Sequence, residues 1–532
     1  MSRTLDGRFL ECVERYPDRI FMRRFDGAAI RTVSYADAAR RTAATVHALA
    51  ERGLRPGDRV VCYLDELVPS VWFCLAAAHA GVWPVPIGPS FSVDAVQQLV
   101  QQVGAAAIFT TVEHAPKLVA RGLEPLTPLD PATTPSLDDA LQLLHRAEAA
   151  HTGDDVYMLQ PSSGTTGQSK LVMLPHRHQC YVVDLLRFDL RREDEPPHRL
   201  LLIAALTHGM GQIVFANAIS LGAELVVPNR HDVHASLDEV RALDPDFMTM
   251  TPRVLRSFHA QNAGGDRLFG PSAKVLLIGG AVSDGELLQQ VHDQGIDVIE
   301  AYGAAEFGFA SAGPRGGWRR GSVGKIAPDV KLRIDDDGEL LCWSPEHMVG
   351  YYGDEQATRA AFTADGYYRT GDYCEIDRDG YLRYTGRKKD VFNTYAGTNV
   401  FPAQMEAAID QLAWVRQVVL VGDQRPYMTA LVVLADPAAP TREADGFLDA
   451  RAHAELYASA ARDLARINRE FEAIERVRRF ALFATPMPDD MYTVVGHQKI
   501  RRSRPAIAQR YQPRIDALYA AATDDHGVVA DT

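Results

Sequence analysis

One segment of the sequence has the residue types that bind a chain of phosphates. Residues 160–170 read QPSSGTTGQSK, a run of glycines and hydroxyl residues that ends in a lysine. Backbone N–H groups, hydroxyl groups and one ammonium can together surround an oxygen-rich anion. The GxxxxGK[ST] pattern of nucleoside triphosphatase P-loops is absent, and a flexible linker would have a similar composition. The anion-binding candidates are Ser162, Ser163, Gly164, Thr165, Thr166, Gly167 and Lys170.

Three further polar or glycine-rich segments follow predicted buried strands. Thr207-His208-Gly209 follows LLLIAAL, Gly279-Gly280-Ala281 follows KVLLI, and Tyr302-Gly303-Ala304-Ala305-Glu306 follows DVIEA. The carboxyl ends of parallel strands meet at one edge of a sheet, where α/β proteins bind their ligands. Each segment alone is typical of an ordinary turn. Together with residues 160–170 they predict one shared crevice.

A carboxylate and a guanidinium occur later in the chain. Asp372 ends the sequence YRTGD, and Arg387 begins the charged sequence RKKD. A carboxylate can accept hydrogen bonds from the two vicinal hydroxyls of a ribose, and an arginine can add a fork of donors. Alone, Asp372 is more typical of a solvated turn.

Alternating apolar and amphipathic segments predict an α/β fold. RVVCYLD (59–65), VWPVPI and AAIFTT are strand candidates separated by helical segments. The alternation returns after residue 199, where the buried-strand candidates are LLLIAAL, AELVVP, FMTMTP, KVLLIGG and DVIEAYG. Two later segments, KLRIDDDGELLCWS and YCEIDRDGYLRYTG, predict β-hairpins with Asp-Gly turns. We therefore expect a large N-terminal domain of stacked parallel α/β layers with a β-hairpin subdomain, followed by a small, mobile α+β domain.

The predicted boundary lies at GRKKD, residues 386–390. Residues 1–386 then form the N-terminal domain, 387–522 the C-terminal domain, and 523–532 a disordered tail without periodicity. In the C-terminal part, strands are predicted at VRQVVLVG and MTALVVLAD, and one helix at SRPAIAQRYQPRIDALYAAA.

Composition excludes several classes of protein. The 532-residue chain has a formal net charge of -13, which is unfavourable for a nucleic-acid surface. Its six cysteines include no CxxC pair, which argues against a zinc framework or a disulfide scaffold. The charged N-terminus lacks a signal peptide, and no apolar run is long enough to span a membrane. We expect a cytoplasmic protein.

Five motifs in one order carry a family resemblance. They are SSGTTGQSK, YGAAE, YRTGD, GRKKD with the following TYAGTNVFPAQME, and KIRR at 499–502. With them the chain resembles the superfamily of AMP-forming acyl/aryl-CoA synthetases and adenylation domains. Within it, GDQRPYMTALVVLAD and KIRRSRPAIAQRY are most similar to long-chain fatty acyl-CoA synthetases.

The resemblance implies an AMP-forming acid–thiol ligase. Such an enzyme converts a fatty or aryl acid and ATP into an acyl-adenylate and pyrophosphate, and then transfers the acyl group to the thiol of coenzyme A. By resemblance, residues 162–170 hold the β- and γ-phosphates and Glu306 assists Mg²⁺. Lys499 bonds the carboxylate and the 5′-phosphoryl oxygens. The catalytic candidates are thus Lys499, Glu306 and His208.

The remaining implied roles concern the nucleoside and the rotation between domains. Tyr302 with Gly303, and the turn Gly279–Ala281, border the adenine and the substrate. Asp372 and Arg387 hold the ribose. Lys389 is the hinge about which the C-terminal domain rotates between the two half-reactions.

Departures from the family pattern leave the acceptor open. Ala305 replaces the usual threonine, Ala396-Gly397 replaces a Gly-Gly pair beside the thiol channel, and VVGHQ precedes Lys499. The alternative acceptors are the phosphopantetheine of an acyl carrier protein, for which RRSR (501–504) is a possible docking patch, and an amine. A non-catalytic nucleotide-binding relative is a third interpretation, suggested by Ala305 alone.

The acid itself is predicted only by class. No aspartate accompanies His208 to pair with an ammonium, so a plain carboxylic acid is favoured over an amino acid. The predicted pocket walls are apolar or aromatic, which fits an acyl or aryl group. They are His208, Met210, Phe215, Met250, Ala281, Phe307 and Phe309.

Overall fold

The computed structural model gives the part of the chain that can be described. It describes residues 2–27, 29–89, 91–127, 134–162, 170–190, 198–262, 265, 267–393, 399–435, 446–485, 487–488, 492–495, 499–502, 504–520 and 527–529, without the side chains of 186–190, 393, 492–495, 499–502 and 505. Within these residues the predicted α/β class is confirmed, with a large N-terminal part and a smaller C-terminal part.

The described residues form 28 strands and 16 α-helices. The strands are β1 Ile20–Phe25, β2 Ile30–Ser34, β3 Arg59–Tyr63, β4 Trp83–Ile87, β5 Ala107–Thr110, β6 Pro125–Leu126, β7 Val156–Pro161, β8 Leu171–Pro175, β9 Arg199–Leu201, β10 Glu224–Val227, β11 Phe247–Met250, β12 Val275–Gly279, β13 Asp297–Ala304, β14 Gly308–Ala312, β15 Lys325–Ile326, β16 Lys331–Ile334, β17 Glu339–Trp343, β18 Gly350–Tyr351, β19 Tyr368–Ile376, β20 Leu382–Arg387, β21 Phe392–Asn393, β22 Asn399–Val400, β23 Val415–Val421, β24 Met428–Leu434, β25 Val477–Phe483, β26 Tyr492–Val495, β27 Lys499–Arg502 and β28 Gly527–Val528. The helices are α1 Leu5–Arg15, α2 Tyr35–Glu51, α3 Leu67–Ala80, α4 Val93–Val103, α5 Ala115–Val119, α6 Leu137–Glu148, α7 His176–Leu190, α8 Gly209–Leu221, α9 Leu237–Leu243, α10 Pro252–Gln261, α11 Gly285–Asp293, α12 Glu355–Ala361, α13 Pro402–Ile409, α14 Ala454–Asn468, α15 Arg504–Arg510 and α16 Gln512–Tyr519. Short 3₁₀ turns lie at Asp232–His234 and Lys388–Asp390.

The largest sheet has nine strands in the order β15-β14-β13-β12-β11-β9-β10-β1-β2. Its pairs from β13 to β1 are parallel, and antiparallel hairpins close both edges. The strands predicted at AELVVP, FMTMTP, KVLLIGG and DVIEAYG are confirmed as β10 to β13. The strand predicted at LLLIAAL is shorter, because ladder pairing ends at Leu201. Parallel strands covered on both faces are apolar throughout, as these are.

A second parallel layer has the order β4-β3-β5-β6. The three predicted strands and the two helices between them are confirmed as β3, α3, β4, α4 and β5. Helix α3 is apolar on almost every face, and it packs against α2 and α6. A helix of this kind must be buried between layers, which joins this sheet to the main core.

The predicted hairpins form a four-stranded antiparallel unit, β16-β17-β19-β20. Gly338 and Gly380 end the two Asp-Gly turns with φ of 86° and 79°, a region that favours glycine. These turns close the two hairpins. In β19 and β20 the register shifts between Tyr373 and Cys374, and Asp372 then lies opposite Arg387.

The C-terminal part contains a sheet of order β23-β24-β25-β28. The helix predicted over 503–522 is wrong as a single element, because α15 ends at Arg510 and α16 begins at Gln512. Pro513 lies in the first turn of α16, where its missing N–H is harmless, whereas it would interrupt a continuous helix. The predicted disordered tail is also wrong for Gly527 to Val529, since β28 pairs with β25 and Val529 is buried.

The hydrophobic clusters separate near the predicted boundary. Four clusters are built from residues between Leu5 and Leu382, and two from residues between Phe392 and Val529. Each part therefore has its own core, as a folding unit requires. The boundary at residues 386–390 stays a prediction. No helix among the described residues is long and apolar enough to cross a membrane.

Candidate active site

The predicted anion-binding segment connects the paired strands β7 and β8. The two strands pair up to Pro161 and Leu171, and the Ser162 backbone N–H donates to the Lys170 carbonyl at 2.7 Å. Ser163, Gly164, Thr165, Thr166 and Gly167 lie outside the described residues. The hairpin base therefore determines where the loop begins and ends. At its end, the Lys170 Nζ lies 4.6 Å from the centroid of the Tyr351 ring, within cation–π range.

Glu306 lies at the tip of the β13–β14 hairpin. Gly303 is required there, because a Cβ at this position would lie 2.2 Å from the Gly308 carbonyl oxygen. The Glu306 carboxylate is buried and accepts a hydrogen bond from the Tyr351 hydroxyl at 3.3 Å. Burial raises the pKa of Glu306, and the Tyr351 hydroxyl partly opposes that shift. The Tyr351 and Tyr368 hydroxyls are 3.0 Å apart.

Asp372 is the centre of a second polar group. Its carboxylate is buried, with Oδ2 accepting from the Tyr302 hydroxyl at 2.6 Å and Oδ1 lying 2.7 Å from Arg387 Nε. Burial raises the pKa of Tyr302 well above its ordinary value, so its hydroxyl stays a donor. Burial alone would lower the pKa of Arg387. The Asp372 carboxylate raises it instead, with smaller contributions from Tyr384, Tyr302 and Glu306. The arginine is therefore always charged.

The two groups form one network. Lys170 and Glu306 both contact Tyr351, and Tyr351 contacts Tyr368. The Phe307 ring joins this group to the other one, because its centroid lies 5.4 Å from that of Tyr368 and 6.1 Å from that of Tyr302, which bonds Asp372. The four residues that were predicted from separate motifs are thus brought together.

Gly279 and Gly280 lie beside Tyr302, because β12 pairs in register with β13. A Cβ on Gly279 would be 2.7 Å from the Ala301 carbonyl oxygen, and Gly280 has φ of 83°. These glycines let the two strand ends approach closely and turn. Ala281 is exposed at the same edge.

Two glutamines that sequence reasoning missed hold the Thr207–His208 segment. Gln160 on β7 donates from Nε2 to the Thr207 carbonyl at 2.5 Å. Gln212 on α8 donates to Gln160 Oε1 and to the Leu206 carbonyl. His208 itself is the N-cap residue of α8. The start of the anion-binding loop and the strand exit after β9 are therefore fixed to each other.

The predicted hinge has an anchored neighbour. Lys389 lies in the 3₁₀ turn after β20, and Lys388 Nζ bonds Glu339 Oε2 at 2.9 Å and Asp337. The turn is thereby attached to the β-hairpin unit. Lys499 begins β27, where it pairs with Val495, but its side chain lies outside the described residues, as does Ala396. The roles of Lys389 and Lys499 stay predictions.

Tyr351 and the pocket walls show what sequence patterns missed. The sequence Gly350–Gly353 has no periodicity, and only the pairing of β18 with β8 brings Tyr351 beside Lys170. A tyrosine flanked by glycine was the available signal. Of the predicted walls, Phe215, Phe307 and Phe309 pack in the largest core cluster, whereas Met250 packs in another cluster.

A buried carboxylate–arginine–tyrosine group lies near the carboxyl edge of a parallel sheet and is linked to Lys170, the last residue of the glycine- and hydroxyl-rich segment. This arrangement is that of a nucleotide-binding enzyme. Residues 9–352 match the model of the AMP-binding enzyme family, and residues 389–523 match the AMP-binding enzyme C-terminal domain. The chain belongs to the AMP-binding enzyme family.

Curated relatives and solved structures agree with this assignment. The chain is 26% identical to the long-chain-fatty-acid–CoA ligase FadD15 of Mycobacterium tuberculosis, over 94% of this chain and 95% of that protein. Its fold is similar to o-succinylbenzoate coenzyme A synthetase (MenE) from Bacillus subtilis in complex with AMP, with a TM-score of 0.72 and 19% identity over 93% of this chain and 98% of that one. It is also similar to ATP-bound MatB from Rhodopseudomonas palustris, with a TM-score of 0.73 and 21% identity over 96% of this chain and 99% of that one.

Proposed function

We propose that this protein activates a carboxylic acid with ATP to an acyl-adenylate and pyrophosphate, and then transfers the acyl group to the thiol of coenzyme A. One observation carries the proposal: hydrogen bonds and ring contacts link Lys170, Glu306, Asp372 and Arg387 into one contiguous network. The relatives named as CoA ligases over nearly the whole chain support the same reaction.

The first half-reaction needs the nucleotide held from both ends. The Asp372 carboxylate accepts from the Tyr302 hydroxyl and pairs with Arg387, which holds it in place. A carboxylate is the group that accepts from the 2′- and 3′-hydroxyls of a ribose. Lys170 and the backbone of its loop are suited to the phosphate end, because an ammonium and N–H groups offset phosphate charge.

Glu306 fits a role in holding Mg²⁺. Mg²⁺ uses one or two carboxylates together with substrate phosphates, and Glu306 is a buried carboxylate linked through Tyr351 to Lys170. When bound, Mg²⁺ supplies neutralisation of phosphate charge. The raised pKa of Glu306 in the free protein would be lowered again by that cation.

The acid is a fatty or aryl carboxylate in this proposal. Thr207 and His208 lie at the strand exit where the reacting carboxylate would enter, and Gln160 fixes this segment next to the anion-binding loop. His208 and Lys499 are the side chains proposed to face that carboxylate. The aromatic side chains of Phe215 and Phe309 pack in the core behind the segment.

Coenzyme A is favoured over a carrier protein as the acceptor. The basic sequence 501–504 was the reason for considering a carrier-protein docking patch. Arg504, however, is engaged internally, with Nη2 2.6 Å from Glu406 Oε2 and Nη1 donating to the Leu420 carbonyl. The Arg504 guanidinium thus links α13 to β23 within the protein, and this charge of the basic sequence is already paired.

A two-stage assay tests the proposal. Acid-dependent exchange of labelled pyrophosphate into ATP is measured across fatty and aryl acids, and coenzyme A is then added with mass detection of the thioester. We expect exchange with at least one acid and a thioester with coenzyme A. Exchange without a thioester would contradict the acceptor, and no exchange with any acid would contradict the reaction.

A further inference from the structure

A second cluster of ligand-type side chains lies apart from the nucleotide network. Asp65, Glu66 and His114 each present one ligand atom, and these atoms lie within 4.8 Å of one another. The Asp65 backbone N–H donates to Glu66 Oε2 at 3.3 Å, which keeps the two carboxylates together. His231 lies outside this mutually close group, with its Nε2 4.0 Å from Asp65 Oδ2.

The four residues come from three strand ends in two sheets. Asp65 and Glu66 follow β3, and His114 follows β5, both in the four-stranded parallel sheet. His231 follows β10 of the nine-stranded sheet. A ligand held by all four would therefore join the two α/β layers at their carboxyl edges.

The His114 imidazole lacks the hydrogen bonds that a buried ring normally makes. His114 is 9% exposed, and its Nδ1 is buried with no hydrogen-bond partner among the described residues. Its Nε2 lies 3.7 Å from Asp65 Oδ1, beyond hydrogen-bond range. Buried polar atoms are nearly always satisfied, so Nδ1 lacks a partner that a buried ring normally has, while Nε2 is the nitrogen that lies near Asp65.

Both imidazoles lie near the Asp65 carboxylate but beyond hydrogen-bond range. His114 Nε2 is 3.7 Å from Oδ1, and His231 Nε2 is 4.0 Å from Oδ2. Two ligand atoms that each lie about 2.1 Å from a tetrahedral ion are about 3.4 Å apart, close to these separations. Small side-chain rotations would bring the donors to coordination distance.

We propose that Asp65, Glu66, His114 and His231 bind one divalent transition-metal ion of the Zn²⁺ type. Two imidazole nitrogens and two carboxylate oxygens are ligands that suit Zn²⁺, whereas Mg²⁺ and Ca²⁺ prefer oxygen ligands alone. Four protein ligands are the number of a closed, structural site. The ion would join the layer of β3 and β5 to β10, and it is separate from the Mg²⁺ role of Glu306.

Metal binding by the full-length protein tests this site. The protein is stripped with a chelator, and its stoichiometry is measured by equilibrium dialysis with Zn²⁺, Co²⁺ or Mg²⁺ alone, followed by elemental analysis. We expect about one Zn²⁺ per chain, visible absorption of four-coordinate Co²⁺, and no retained Mg²⁺ at this site. The thermal midpoint should rise with Zn²⁺, because a ligand of the native state stabilises it.

Variants locate the ion. His231→Ala and Asp65→Asn should each weaken Zn²⁺ binding by more than about tenfold, since even an outer partner of a metal ligand contributes that much. The matched control is His47→Ala, which removes an exposed histidine that pairs with Glu51 on α2. His231 is partly exposed, so its variant should fold, and circular dichroism of the metal-free protein checks this.

The outcomes separate this proposal from the reaction. Loss of Zn²⁺ with His231→Ala but not with His47→Ala supports the site. No Zn²⁺ retained by the wild-type protein, or equal retention by every variant, overturns it. Adenylation is assayed in parallel with the same variants. None of the four residues belongs to the nucleotide network, so neither outcome of the metal experiment bears on the proposed function.

Discussion

Asp372 and Arg387 face each other across the β19–β20 hairpin, with Arg387 Nε 2.7 Å from Asp372 Oδ1. Tyr302 closes the other side of the carboxylate at 2.6 Å. The pairing of β19 with β20 positions the two residues, and Tyr302 on β13 of the nine-stranded sheet holds the carboxylate from the other side. This arrangement preorganises the carboxylate to accept further hydrogen bonds without moving.

Asp372→Asn should weaken the use of ATP. The substitution keeps the shape but removes the charge that a ribose and Arg387 both require. Loss of a charge-assisted hydrogen bond costs about 1.5–3 kcal/mol, so kcat/KM for ATP in pyrophosphate exchange should fall about 10- to 100-fold. Asp377→Asn is the matched control, because Asp377 pairs with Arg319 in the exposed turn of the same hairpin. Equal losses in both variants would contradict the ribose role.

Tyr351→Phe should shift the pH profile of adenylation. The Tyr351 hydroxyl donates to Glu306 and lowers the carboxyl pKa that burial raises, so its removal raises that pKa further. The acid limb of pyrophosphate exchange should therefore move to higher pH. The phenylalanine ring keeps its contact with Lys170, which isolates the hydroxyl.

Tyr352→Phe is the control for this shift. Its hydroxyl donates instead to the Val103 carbonyl at 3.2 Å. An unchanged profile in Tyr352→Phe and a shifted one in Tyr351→Phe are expected. If the acid limb of Tyr351→Phe stays in place, Glu306 is not the group that titrates in the reaction.

His79→Leu should reduce the acid sensitivity of the fold. Both ring nitrogens of His79 are buried without a hydrogen-bond partner among the described residues, and burial, aided by His151 and His176, lowers its pKa from 6.5 to about 3. Between those pH values the unfolded chain binds a proton that the folded chain does not. The contribution of neutral His79 is thus present above pH 6.5 and is lost as the pH falls.

Thermal midpoints from pH 7 to pH 4 measure this effect. Through this one group, the free energy of unfolding of the wild type falls by up to about 1.4 kcal/mol for each unit by which the pH drops. His79→Leu should show a shallower fall in the free energy of unfolding and in the thermal midpoint. At pH 7 the leucine variant should be at least as stable, because it removes two unsatisfied polar atoms. His47→Leu, at an exposed position on α2, should follow the wild type. Parallel curves for wild type and His79→Leu would refute the assignment.

Local pattern and turn chemistry predicted much of the fold and part of the site. The Asp-Gly turns at Gly338 and Gly380 close the two hairpins. The pairing of β19 with β20, which shifts between Tyr373 and Cys374, then places Asp372 opposite Arg387. The alternation of apolar and amphipathic segments predicted β3 to β5 and β10 to β13. This pattern is local, because each strand or helix must carry the apolar residues that it buries.

Contacts that depend on distant pairing could not be predicted. Tyr351 joins the site only because β18 pairs with β8, and no local signal encodes that pairing. The bond between Gln160 and the Thr207 carbonyl likewise joins two sheets. The division of α15 from α16 was within reach, because Pro513 cannot donate the hydrogen bond that a continuous helix needs.

Lys499→Ala should separate the two half-reactions. The family resemblance implies that this lysine neutralises charge as the carboxylate attacks the α-phosphorus. Removing one such donor costs about 10²- to 10³-fold in rate. We expect that loss in pyrophosphate exchange, with thioester formation from pre-formed acyl-adenylate largely retained. Arg502→Ala, in the same strand, is the control for loss of a basic residue. An equal loss in both half-reactions would count against this role.

Lys389→Pro should block the second half-reaction and spare the first. One cleft must serve attack on phosphorus and then attack by a thiol, which suggests rotation of the C-terminal part about the boundary. Lys388, bonded to Glu339 and Asp337, anchors the preceding residue to the N-terminal part, so the change in backbone angles is expected at Lys389. Proline fixes φ near -65° and prevents that change. Lys389→Ala is the control, because it removes the ammonium and leaves the backbone free to rotate. Pyrophosphate exchange should survive in both variants, whereas thioester formation from pre-formed adenylate should be lost only with proline. If the proline variant completes both steps, the rotation occurs at another residue.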